Sequence, residues 1–331
     1  MEEAFTQTVD YLAFTVPKAA VADVQGRIGG DWVEAPTGFR GYPTAYVSAD
    51  GTGGVGKMGT GAPRRPAEVH SDLTGAVVSQ WPLEQLQDTL RWIFSLGGNI
   101  TRLDIALDDR LMAVSVASVK SAVEAGQAVT RAACFRVIED SNLRDGTPHG
   151  QTLYFGSPQS QTQLRVYDKR AEQHRKGRAH ADEYGTRWEL EFRKDRAQAC
   201  AKALCNLPIE DWKEFLVGLL RSYVDFRQVT REATPWEKYR APLLAWWEGL
   251  TEGFKRCRLL VTKPQRTLEQ VKQWFSQAMG PILAVLYFKG GTKYLEQCVE
   301  SGIDRWKGRH LTLLKPPPKP GRTYVLRPTE T

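Results

Sequence analysis

The sequence predicts an α+β fold: a mostly antiparallel central sheet with packed helices, followed by a helical C-terminal part. Three observations predict it. Short segments with period-two alternation fill residues 1–195, helical stripes interrupt them at two places, and beyond 195 the apolar period changes to 3.6. In order, residues 9–16, 44–48 and 68–73 alternate apolar and polar side chains between Gly, Pro or Asp and read as strands. Leu83, Leu86, Leu90, Ile93 and Phe94 behind Pro82 make a helical face. Residues 101–108 return to alternation, and Val116, Val119 and Val123 mark a second helix stopped by Gly126. Strands follow at 152–155, 163–167 and 187–192. Trp212, Phe215, Leu216, Leu219, Leu220 and Tyr223 then form one apolar stripe, and Thr267 with Gln270 makes a capping box opening a helix through Val271, Trp274, Phe275 and Ile282. Pro235 to Pro242, with charges between, reads as a linker, and Pro316-Pro317-Pro318 opens a mobile basic tail. The expected division is 1–230, a helical region 231–315 and the tail 316–331.

Composition excludes several classes. The 331 residues are 41% hydrophobic and 25% charged, which rules out disordered and collagenous chains. No apolar run reaches the ~20 residues of a membrane span, and Met1-Glu2-Glu3 is acidic where a secretory leader is basic, so a cytoplasmic protein with no membrane contact is expected. Five cysteines (Cys134, Cys200, Cys205, Cys257, Cys298) include no CxxC pair and are expected as free core thiols. The net charge of +7 is concentrated in residues 163–178, with six basic and two acidic side chains, and in 305–331. Focused positive charge of this kind suits a polyanion such as nucleic acid.

Gly51-Thr52-Gly53-Gly54-Val55-Gly56-Lys57 matches part of a phosphate-binding loop, but Met58 replaces the hydroxyl that must reach Mg²⁺ and Gly59-Thr60-Gly61-Ala62-Pro63 cannot form the helix that follows such loops. A Gly-rich turn between strands is the expected structure.

The chemistry lies in three strands. In Thr101-Arg102-Leu103-Asp104-Ile105-Ala106-Leu107-Asp108 the apolar residues share one face and Asp104 and Asp108 the other. Arg187-Trp188-Glu189-Leu190-Glu191-Phe192-Arg193 repeats the device with two carboxylates side by side. Neighbouring same-face positions lie about 6.6 Å apart, close enough to bracket one divalent ion, whereas Asp104 and Asp108 are about 13 Å apart and cannot share it. The competing account of these acids is a solvated face salt-bridged to Arg187 and Arg193. Between them, Leu164-Arg165-Val166-Tyr167-Asp168-Lys169-Arg170 places Arg165, Tyr167 and Lys169 on one face. Flanking cations lower a phenol's pKa and bind a phosphodiester. Tyr154 is the competing tyrosine, with Leu153 and Phe155 as uncharged sequence neighbours.

These residues carry a resemblance. The blocks Thr-Arg-Leu-Asp-Ile-Ala-Leu-Asp (101–108), Gln-Thr-Leu-Tyr-Phe-Gly-Ser (151–157), Arg-Val-Tyr-Asp-Lys (165–169), Arg-Trp-Glu-Leu-Glu-Phe-Arg (187–193) and Thr-Leu-Glu-Gln-Val-Lys-Gln-Trp (267–274) resemble, in order, the replication initiation factor family of rolling-circle initiators of small bacterial plasmids and filamentous phages. The resemblance implies an HUH-endonuclease-like fold and a catalytic nicking domain in 1–230 that cuts one strand at an origin, keeps the 5′ end as a phosphotyrosine and rejoins ends. Carried over by position, Tyr167 is the nucleophile assisted by Arg165 and Lys169, and Asp104, Glu189 and Glu191 hold Mg²⁺ or Mn²⁺. The wider superclass uses a His-hydrophobic-His pair. This chain has none among His70, His149, His174, His180 and His310, so Glu189-Leu190-Glu191 stands as its carboxylate counterpart, with His70 a further candidate ligand. Expected partners are origin DNA, host helicase and polymerase, and a second copy in a homodimer. Arg165, Lys169 and Arg170 are expected to contact DNA backbone. Two alternatives stay open: a non-catalytic sequence-specific DNA-binding regulator, for which three same-face acids would be of no use, and a mobilisation relaxase with the same chemistry.

Overall fold

In this computed structural model the strands are β1 Thr6–Val16, β2 Trp32–Glu34, β3 Thr44–Ser48, β4 Gly56–Ala62, β5 Arg65–Thr74, β6 Asn99–Asp109, β7 Ala128–Thr130, β8 Phe135–Ser141, β9 Pro148–Phe155, β10 Thr162–Asp168, β11 Thr186–Arg193 and β12 Val224–Phe226. The helices are α1 Val21–Ile28, α2 Gly75–Val78, α3 Leu83–Ser95, α4 Val116–Glu124, α5 Lys169–Arg175, α6 Asp195–Asn206, α7 Trp212–Tyr223, α8 Pro235–Arg240, α9 Ala245–Leu250 and α10 Leu268–Ile303. The structure describes residues 5–48, 56–259, 261, 267–303, 305 and 313, apart from the side chains of Pro148 and His149. These fall into two compact units, one within Met1–Val261 and one within Thr262–Arg327.

The first unit is α+β. Ten strands form one sheet in the order β2-β3-β4-β5-β1-β6-β11-β10-β9-β8, with neighbours antiparallel throughout, and β12 pairs with β7 separately. Alternation sends Leu103, Ile105 and Leu107 of β6, Trp188, Leu190 and Phe192 of β11, and Leu164 and Val166 of β10 into the core. Helices α3, α4, α6 and α7 supply the opposing apolar stripes, among them Leu86, Leu90 and Ile93, Val116 and Val119, and Phe215, Leu216 and Leu220. Each such side chain contributes about 1.5–3 kcal/mol by leaving water. Trp188 anchors one end of this core, with its ring centroid 5.1 Å from that of Trp247 and 6.1 Å from that of Phe226. Gly156 closes it: its φ is +94°, and a Cβ there would meet the Tyr223 hydroxyl at 2.5 Å. That hydroxyl donates to the Phe155 carbonyl at 2.9 Å.

Four expectations are corrected. Residues 235–240 form α8 rather than a linker, because Thr234 and Glu237 complete a reciprocal capping box with Pro235 at the first turn, where its missing N–H costs nothing. Lys169 does not continue the strand: Asp168 caps α5 by accepting the Ala171 N–H, so Lys169 is the helix's first residue. The cysteines are free, yet Cys134 and Cys298 are exposed rather than core thiols. The acidic face, solvated in the competing account, is buried.

Gly56-Lys57 runs straight into the strand Gly56–Ala62, with no helix behind it, while 51–55, His310 and the tail 316–331 lie outside the described residues. In the second unit, Thr267 and Gln270 make the reciprocal cap and open α10, whose helical path breaks at Gly291 (φ +67°).

Candidate active site

Strand register assembles the site. Glu191 pairs with Asp104 across β11 and β6, and Glu189 pairs with Arg165 across β11 and β10, so the three acids and Arg165 occupy adjoining positions on the face opposite the core. Asp104, Glu189 and Glu191 are only 1%, 2% and 3% exposed. Arg165 Nη2 lies 2.7 Å from Glu189 Oε1, 3.1 Å from Asp104 Oδ2 and 3.3 Å from Glu191 Oε2. Arg102 grips Asp104 in bidentate fashion at 2.9 and 2.5 Å, and Arg193 pairs with Glu191. Unpaired, three buried carboxylates would be prohibitively costly, and this guanidinium cage is what lets the face be covered. Burial nonetheless pushes the Asp104 and Glu189 carboxyls above the usual range, against the opposing pull of Arg102 on Asp104 and Arg165 on Glu189.

Tyr167 stands beside them. Its hydroxyl donates to Glu189 Oε2 at 3.2 Å, and Lys169 Nζ lies 5.7 Å from its ring centroid. The expected lowering of the phenol's pKa is reversed: burial, then the Glu189 charge, hold it well above the ordinary value against the opposing Arg187 charge. Lys169 is engaged by Glu172 at 2.8 Å. The phenol and Arg165 open onto a cleft of about 220 Å³, which Thr152, Tyr154, Glu172 and Arg175 also line. Tyr154 is not in charge-free surroundings as its sequence neighbours suggested: its register partner is Arg165, and the Arg136 guanidinium sits 5.1 Å from its ring centroid.

Other candidates are placed apart. Asp108 is held with Asp10 by Arg187, at 2.7–2.8 Å, separate from Asp104 as strand spacing requires. Arg170 donates to the carbonyls of Tyr184, Arg110 and Asp182, a structural use rather than a free DNA contact. His70 lies on β5, separated from β6 by β1, where Thr15 Oγ1 and Asp72 Oδ1 meet its ring nitrogens at 2.9 and 3.2 Å and Tyr42 and Phe39 stack on it.

Sequence reasoning missed two participants. Arg102 was signalled by its place two residues before Asp104 on one strand. Asp10, whose charge acts on both Tyr167 and Glu189, was not, because a register shift between Val9 and Tyr11 leaves it at a bulge where alternation fails.

The acids fit a small cation in one respect: all three converge on a single charged atom, Arg165 Nη2. Hard carboxylate oxygens on adjacent strands are the donor type Mg²⁺ and Mn²⁺ take. Among the described residues no three His, Cys, Asp or Glu side chains are already spaced as a metal shell, so the arginine would have to yield the position.

The chain is 28% identical over 193 residues to a putative DNA relaxase, NicK, of Bacillus subtilis (strain 168), a match covering 57% of this chain and about half (53%) of that relative. Its fold is similar to that of a rolling circle replication initiator protein from Geobacillus stearothermophilus, with a TM-score of 0.61 and 24% identity over 78% of this chain and all of the other. Residues 98–299, more than half the chain and the whole of the strand trio described above, match the replication initiation factor family, to which this chain belongs.

Proposed function

We propose that this chain is a rolling-circle replication initiator that nicks one DNA strand at its origin, holds the 5′ end on Tyr167 and later rejoins the ends. The carrying observation is the Tyr167 hydroxyl, donating to the buried Glu189 carboxylate at a cleft shared with Arg165, in a chain of this family. In the nick, Tyr167 Oη bonds to phosphorus, the bond from phosphorus to the 3′ oxygen breaks, and the phenolic proton passes to Glu189 Oε2. The 3′ oxygen leaves protonated from solvent as the primer end. The reverse attack rejoins the strand, because the phosphotyrosine diester conserves the energy of the cut bond.

Glu189 is the proton acceptor by position, which matters because the phenol ionises so reluctantly. Arg165 and Lys169 offset charge on the phosphate. Mg²⁺ or Mn²⁺, held by Asp104, Glu189 and Glu191, would polarise the scissile phosphate when bound. Origin DNA, host helicase and polymerase, and a homodimeric state complete the proposal, as does a cytoplasmic setting; no helix of the described residues is long and apolar enough to cross a membrane. The match to a relaxase favours mobilisation as the second reading, with the same chemistry in another context.

The test is incubation with supercoiled DNA carrying the candidate origin and Mg²⁺. Open circles and a protein–DNA adduct are expected, both lost in Tyr167→Phe and kept in Tyr154→Phe. Binding without cleavage under Mg²⁺ and Mn²⁺ alike would support the non-catalytic regulator instead.

A further inference from the structure

On the opposite side of β11 from Tyr167 lies a cavity of about 730 Å³ whose lining holds five arginines, Arg131, Arg196, Arg221, Arg256 and Arg258, and, among the described residues, no acidic one. Its floor is Leu190, Phe192 and Leu219, all buried, so strand alternation separates it from Glu189 and Glu191. Beneath it one carboxylate, Asp225, accepts from Arg221 at 3.3 Å and from Arg256 at 2.9 and 2.5 Å. Among the described residues Glu214 also acts on the Cys257 thiol of the lining, and crediting the whole of both acidic charges to this site still leaves three positive charges unmatched.

Arg131 and Arg258 are exposed and have no acidic partner among the described residues. Arg196 donates to the Leu259 carbonyl, at 2.9 Å, has no acidic partner among the described residues, and faces repulsion from Arg131. Like charges gathered over an apolar floor are unfavourable unless an anion joins them. The volume exceeds what inorganic phosphate fills and lies within the ~300–1,000 Å³ of small-molecule sites. Tyr239, with Arg256 5.4 Å from its ring centroid, and Tyr223 add aromatic walls.

We propose that this cavity binds a nucleoside phosphate, with the phosphates at Arg131, Arg196 and Arg258 and the planar base on the apolar and aromatic surfaces. The same chemistry is offered by a free nucleotide and by a phosphorylated DNA end. The site is independent of the nicking reading. The test is a fluorescence titration of the full chain with N-methylanthraniloyl-ADP, followed by displacement. Saturable binding is expected, displaced by ADP and by pyrophosphate but not by adenosine. Arg131→Ala with Arg258→Ala, and separately Arg258→Glu, should weaken it by about tenfold or more with the melting transition kept. Tyr167→Phe should bind as the unaltered chain does. Stronger displacement by a 5′-phosphorylated tetranucleotide than by ADP would assign the site to a DNA end, and weaker displacement to a free nucleotide. Absence of saturable binding, displacement by adenosine equal to that by ADP, or unchanged affinity in the arginine variants would overturn the proposal.

Discussion

Two networks in this protein use the same side chains in different proportion, three acids to three arginines in one and one acid to three in the other. At the candidate active site three carboxylates, Asp104, Glu189 and Glu191, meet Arg102, Arg165 and Arg193, whereas at the β12 end of the core one carboxylate, Asp225, meets Arg221, Arg227 and Arg256 together with the Trp247 indole N–H at 2.8 Å. Burial raises carboxyl pKa values in both. At Asp225 the indole and arginines outweigh it and hold the group below the usual range, while at Asp104 and Glu189 burial and neighbouring acids prevail and the groups stay above it. The share of arginine around each acid, together with its burial, sets the two shifts in opposite directions.

Altering the three-acid network should have the larger effect on activity. Glu189→Gln is expected to slow nicking by about 10²–10⁴-fold, the range for losing a positioned proton acceptor, and Asp104→Asn to abolish divalent-ion response. Initial rates on supercoiled origin DNA measure both, and filter binding should show affinity retained or tightened because charge facing phosphate is removed. Weakened binding with intact cleavage would make these acids structural.

Altering the arginine-rich network should cost stability instead. Asp225→Asn leaves three arginines facing a neutral group and is expected to lose about 3–5 kcal/mol in denaturant unfolding, with nicking per folded molecule unchanged. The sign with pH follows. Because Asp225 is depressed in the fold, its contribution is complete above the unfolded value near 3.9 and is lost as pH falls through the lower folded value. The stability gap between the unaltered chain and Asp225→Asn should therefore stay flat down to about pH 4 and narrow below it. A gap that already narrows near neutral pH would contradict the assignment.

The smallest effect concerns the basic tail, expected to add non-specific affinity. Deleting 316–331 removes Lys319, Arg322 and Arg327. The slope of log affinity against log salt should flatten by at most about 3, with origin preference kept. An unchanged slope would remove the tail from the DNA interface.

Much of this was legible in the sequence, and the illegible part has a physical cause. Alternation in 101–108, 163–167 and 187–192 gave strand, face and neighbours of Asp104, Glu189, Glu191, Arg165 and Tyr167, because period-two patterning is a local property. What pairs across strands is not local. The cage on the acids depends on β6, β11 and β10 lying side by side, and Arg136 reaches Tyr154 from β8. The direction of the Tyr167 shift was misread for the same reason: its sequence neighbours are cationic, but the packing that buries the phenol and sets Glu189 beside it is not local. Pro235 to Pro242 misled because prolines signal breaks unless a cap such as Thr234 places the first of them inside a helix. Asp225, flanked by Val224 and Phe226 in a three-residue strand, carried no pattern to mark it.

The central claim is that Tyr167 is the attacking group, and trapping the covalent complex tests it most directly. The protein is incubated with an origin oligonucleotide and Mg²⁺, digested with protease and nuclease, and the nucleotide-bearing peptide sequenced by mass spectrometry. The account predicts the modification on Tyr167, within Gln163 to Lys169. A nucleotide on Tyr154 or any other residue would contradict it while leaving a nicking enzyme in place.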